Sequence, residues 1–71
     1  MADSVYKFIE LVGTSSESWE KAAAAAVNQA SKSLRDLRVA EIVQLDVAIE
    51  NGKVKSYRAK VKLSFKYESG S

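Results

Sequence analysis
The chain has 71 residues, 46% of them hydrophobic and 28% charged, with a formal net charge of +2. It contains no cysteine and no histidine, which excludes disulfides, thiolate or imidazole metal sites and nucleophile–histidine catalysis. That length allows one domain, residues 1–71, which buries only about 60% of its unfolded surface and calls for a staple; with the others excluded, self-association remains.

Val5 to Val12 (VYKFIELV) reads as a strand, apolar and β-branched, stopped by Gly13 as a turn signal. Tyr6, Phe8 and Val12 share one face and Val5, Ile9 and Leu11 the other, a pattern of a central or doubly covered strand.

The next stretch, GTSSESWEKAAAAAVNQASKSLRDL, reads as a helix. Thr14 and Glu17 have capping-box spacing, with Ser15 and Ser16 as competing caps, and Glu17 and Glu20 suit the positive end of the helix. Trp19, Ala22, Ala23, Ala26, Val27, Ala30, Leu34 and Leu37 recur in one apolar stripe. Its alanines let a helix lie close on a sheet while contributing little area. Lys32 and Arg35 fall in the last turns.

Arg38 to Glu50 reads as a second strand, Asn51-Gly52 as a type I′ turn and Lys53 to Tyr67 as a third strand. The third strand alternates cleanly, with Tyr57, Ala59, Val61, Leu63, Phe65 and Tyr67 apolar. The closing ESGS reads as a frayed tail. The fold class is α+β, in the order β-α-β-β.

A two-residue turn sets the register. Glu50 then faces Lys53, Asp46 faces Tyr57, Gln44 faces Ala59, Ile42 faces Val61 and Ala40 faces Leu63. The helix belongs on that side. The opposite side carries Val39, Glu41, Val43, Leu45, Val47 and Ile49, with Glu41 opposite Lys62 as an ion pair. Such an apolar row should be covered by another subunit. The alternative is a bulge that slips the register and turns these residues into the monomer core.

The β-α-β-β order, the segments YKFIELVGTSSESWEKA and SLRDL, and the closing VKLSFKYE together resemble the dodecin family over almost the whole chain. The resemblance implies a three-stranded antiparallel sheet wrapped around one helix and a hollow, spherical homododecamer. It implies a flavin-storing or buffering protein and not an enzyme. Family members that bind flavin open the second strand with Trp-Phe-Glu-Val, the Trp stacking on the isoalloxazine ring. Here Val39 stands at the Trp position, Ala40 at the Phe position, and Glu41 is kept. The family's flavin-bonding Gln corresponds to Arg58, and its Arg-Gly to Asp46-Val47.

Valine has no π-face, and stacking contributes roughly 1–3 kcal/mol per ring. Arg58 cannot accept the flavin N–H. Riboflavin or FMN binding at Val39 and Arg58, with Glu41 and Leu45 in support, is therefore expected to be weak or lost. Flavin held through other contacts stays open.

A divalent cation such as calcium is another option. Asp46 and Glu50 lie about 13 Å apart along a strand and cannot share one ion. Asp46 is the metal candidate if symmetry gathers its copies. Arg58, Lys60, Lys62 and Lys66 form a basic row that suits a phosphate-bearing ligand or, more simply, keeps the face soluble. No aromatic interleaves with that row, so nucleic acid is not expected. No membrane helix or signal peptide is apparent, and a cytoplasmic location is expected. Trp19 reads as a packing anchor.

Overall fold
The structure, a computed structural model, describes residues 5–35 and 37–66. Its elements are β1 (Tyr6–Ser15), α1 (Trp19–Ser31), β2 (Leu37–Glu50) and β3 (Lys53–Lys66). The strands form one antiparallel sheet in the order β1-β3-β2. β3 is therefore the central strand, and β1, read as a central or doubly covered strand, is an edge. The regular alternation of β3 suits the strand that pairs on both sides. Tyr67 and the ESGS tail lie outside the described residues, as does Asp36 in the SLRDL segment.

The expected stop at Gly13 does not occur, since β1 continues to Ser15. Gly13 serves helix docking instead. A Cβ there would collide with the Ala22 carbonyl oxygen and come within 3.1 Å of the Ala26 Cβ. Missing side chain on the strand and small side chains on the helix produce the same close approach.

The helix is shorter than its apolar stripe. Its cap is Ser18, not Thr14, Ser15 or Ser16; the Ser18 Oγ accepts the Lys21 amide N–H at 3.0 Å. Ser15 acts earlier, accepting the Glu17 N–H at 3.0 Å. Glu20 lies in the first turn, while Glu17 precedes the helix and pairs with Lys21. The C-cap is Lys32, and Leu34 closes the last turn through its N–H to the Ala30 carbonyl at 2.9 Å. Leu37 already belongs to β2. No basic residue occupies the last turn, contrary to the placement expected for Lys32 and Arg35.

The core is small. Ala22, Ala26 and Ala30 of α1 meet Ala59, Val61 and Leu63 of β3, with Ile9, Leu11, Val27, Leu34 and Leu37 around them. α1 rests mainly on β1 and β3 and barely touches β2.

The hairpin turn forms as expected, with Asn51 at φ 54° and Gly52 at φ 74°. The register holds at Glu50–Lys53, Ile42–Val61 and Ala40–Leu63 but changes between them. Val43 bulges from β2 and Lys55 from β3, so Leu45 faces Ala59, Asp46 faces Arg58 and Val47 faces Tyr57. The expected pairs Asp46–Tyr57 and Gln44–Ala59 are overturned. Ala59 is fully buried under the helix, so Leu45, Val47 and Ile49 point to the helix side, not away from it. The bulge is the slip that had been the alternative. It turns these residues inward without burying any of them, because α1 barely touches β2.

Beyond the last β1 pair, Ser15–Tyr57, residues 48–56 project as a two-stranded ribbon. The molecule measures 55 × 20 × 15 Å with a radius of gyration of 14.8 Å, against roughly 11 Å for a compact domain of this length.

Candidate functional site
Of the residues singled out for ligand or metal binding, the sheet face away from α1 carries Val39, Glu41, Asp46 and Arg58. Val39 lies there opposite Ser64, whose other neighbour is Phe8 on β1. A shallow hollow of about 540 Å³ opens at this spot, lined by Tyr6, Phe8, Arg38, Val39 and Ser64. Two of these are aromatics from β1 that had been read only as a strand face. Their shared parity with Ser64 across the β1–β3 register is the signal that places them beside Val39.

Arg58 occupies the other end of the same face, six residues along β3 from Ser64, or about 20 Å. One subunit therefore does not bring Val39 and Arg58 together. Arg58 is instead held by Asp46 directly across the ladder, with Nε 2.8 Å from Oδ1 and Nη2 3.4 Å from Oδ2. This fork fixes both side chains in one plane. It also means that the Asp46 carboxylate already has a cationic partner.

Glu41 faces Lys62 as expected, yet no ion pair joins them among the described residues. Lys62 leans toward β1, with its Nζ 5.6 Å from the centre of the Phe8 ring. The ring's negative face attracts the ammonium. Leu45, expected to support the site, is on the opposite face beside Ala59.

The two candidate groups fare differently when matched to the residues. A stacked flavin needs an aromatic plane at position 39, and valine offers none; the aromatic surface nearby belongs to Tyr6 and Phe8. A hard cation needs several oxygens at once, and no group of three or more acidic, histidine or cysteine side chains gathers among the described residues. Within one subunit, Asp46 does not by itself fit a metal.

Trp19 ties the helix start to the hairpin. Its Nε1–H donates to the Asp46 carbonyl at 2.9 Å, and its ring meets Tyr57 edge-on at 5.1 Å between centroids. The anchoring role expected for it is what the structure shows.

The model of the family described as Dodecin matches residues 5–68. The chain belongs to the dodecin family. It is 48% identical over 63 residues to the calcium dodecin of Mycobacterium tuberculosis, 89% of each chain being covered. The crystal structure of that calcium-chelating antigen, described as having a novel calcium-binding site, superposes with a TM-score of 0.83 at 44% identity, covering 96% of this chain and 97% of the other. The dodecin of Streptomyces coelicolor superposes with a TM-score of 0.90 at 36% identity, covering 99% of this chain and all of the other. No helix among the described residues is long and apolar enough to cross a membrane.

Proposed function
We propose that this dodecin is a homododecameric shell, without catalytic activity, that binds and buffers a small ligand at an altered flavin site in the cytoplasm. The observation that carries the reading is Val39. It leaves the outer face of β2 with no aromatic plane where the family's tryptophan stands. At the other end, Arg58 is committed to Asp46 and has no acceptor to offer a flavin N–H. Eleven large apolar side chains are exposed among the described residues of the isolated subunit, on both faces of the sheet, which supports assembly, since extensive exposed apolar surface marks an interaction site.

Light scattering combined with titration of riboflavin and FMN tests this. A mass near that of twelve subunits with little quenching of flavin fluorescence is the expected result. Strong quenching would overturn the altered-site reading and favour flavin held by Tyr6 and Phe8.

A second reading is calcium binding, favoured by the similarity to a relative named for calcium. Asp46 would serve where symmetry gathers its copies, and each copy would first have to release Arg58. Calorimetric titration with calcium chloride distinguishes this case, a saturable heat lost in Asp46→Asn supporting it.

A further inference from the structure
The outer hollow beside Val39 combines flat apolar walls with charge of one sign. Tyr6 and Phe8, 47% and 58% exposed, supply two rings from β1. Ser64, only 5% exposed, is its floor between Phe8 and Val39 and brings a hydroxyl. At about 540 Å³ the hollow falls within the roughly 300–1,000 Å³ that small-molecule sites occupy. Every one of these lining residues belongs to one subunit.

Arg38 supplies the one formal charge of the lining, which holds no carboxylate. It sits at a register shift, between Leu37 opposite Phe65 and Val39 opposite Ser64, and has no partner on β3. Such an extra residue re-aims its side chain. Lys66 stands across the ladder from Tyr6. Lys62 adds a third cation in a revealing way. A carboxylate flanks it on each side, Glu10 on β1 and Glu41 on β2. Among the described residues it pairs with neither, and its Nζ lies 5.6 Å from the centre of the Phe8 ring. Phe8 thereby holds an ammonium beside the hollow. Arg38 and Lys66 also enter no ion pair among the described residues, whereas Arg58, farther along the same face, is bound to Asp46.

We infer that this hollow binds a one- or two-ring aromatic carboxylate, its ring on Tyr6 and Phe8 and its carboxylate, attached directly to the ring, on Arg38 and Lys62. The rings alone would accept any flat apolar molecule, and the cations select among them. A guanidinium takes a carboxylate in a two-pronged fork. A carboxylate on the ring continues the plane of that ring, which suits a shallow hollow whose aromatic and cationic walls adjoin. Glu10 and Glu41 lie outside the lining, so the three cations outnumber the two carboxylates around it. The inference rests on the reading of an altered site and names the class of ligand that site takes.

The test is equilibrium dialysis of the full chain against 2-naphthoate and, in parallel, the neutral 2-naphthamide. The naphthoate is expected to saturate near one per subunit and to bind about tenfold or more tightly than the amide, a preference that shrinks in high salt. Arg38→Gln and Lys62→Gln should each remove much of that preference while leaving the amide unchanged. Phe8→Leu should weaken both probes. Lys53→Gln, beside the hairpin turn, lowers the net charge equally and should change neither. Equal affinity for the two probes, or the same loss in Lys53→Gln as in Arg38→Gln, overturns the inference. Strong quenching of riboflavin by the same preparation would sink the altered-site reading and this inference with it. No saturable naphthoate binding by a chain that also ignores riboflavin would sink only the inference.

Discussion

Replacing Gly13 by alanine isolates the contact on which the helix–sheet packing depends. The new Cβ would collide with the Ala22 carbonyl oxygen, a backbone atom that cannot rotate away, and crowd the Ala26 Cβ at 3.1 Å. α1 would have to lift from β1. Overpacking of this kind costs about 1–3 kcal/mol, and a backbone obstacle puts the case toward the upper part of that range. Gly13 has no positive φ, so alanine also narrows the unfolded ensemble, which returns about 0.4–1 kcal/mol. The net loss is therefore about 2 kcal/mol. That is a large share of the roughly 4–11 kcal/mol available to a domain of this length. At roughly 4–8 °C per kcal/mol, Tm should fall by about 8–16 °C. Thermal unfolding must be compared at matched subunit concentration, since assembly raises apparent stability. Gly52→Ala is the contrast. Nothing lies within 4 Å of its added Cβ, but φ is +74°, so the cost is backbone strain alone, about 1–2 kcal/mol. Trp19 emission should stay unchanged in that variant. A Gly13→Ala protein as stable as the parent would refute the close-approach argument.

Three further outcomes are expected. Trp19→Phe keeps a ring near Tyr57 but removes the bond to the Asp46 carbonyl, and urea unfolding should show a loss of about 0.5–1.5 kcal/mol. Asp46→Asn breaks an ion pair whose side chains are 38% and 46% exposed, so it should cost no more than about 0.2–1 kcal/mol and the difference should shrink in high salt. Val39→Trp restores an aromatic plane on the outer face, and fluorescence titration should show riboflavin quenching beyond that of the parent chain; no gain would mean that position 39 does not limit flavin binding.

The sequence made the element order, the turn at Asn51-Gly52 and the inward face of β3 legible, because each depends on local chemistry or on strict alternation. The bulges at Val43 and Lys55, two of the three register shifts between β2 and β3, were not legible in the same way. β2 looked apolar on both faces, yet its apolar residues change parity at Val43: Ala40 and Ile42 before it, Leu45, Val47 and Ile49 after it. That one-residue skip is written in the sequence, but two covered faces produce the same pattern. Gly13 was misread for a related reason. Glycine marks turns and close approaches alike, and only the facing Ala22 and Ala26 distinguish the two. Ser18 lost to Thr14 as the expected cap because several serines crowd the same stretch, and the choice among them is made where the chain leaves β1. For the candidate site, Val39 and Arg58 were rightly placed on one face. Their separation along β3, the hold of Asp46 on Arg58 and the nearness of Tyr6 and Phe8 all required the three-strand register.

The bulges at Val43 and Lys55 sit on opposite strands and cancel at the turn. They act as a frameshift and its suppressor, with the stretch between them read in the shifted frame. In that frame Gln44, Asp46 and Ala48 form the outer surface; in the other frame Leu45 and Val47 would. Straightening both bulges with every residue kept would thus exchange a polar strip for an aliphatic one while leaving composition untouched. Two chains of nearly identical sequence could then present opposite surfaces along the same hairpin, and a comparison of this fold's members by aligned residues alone would not show it.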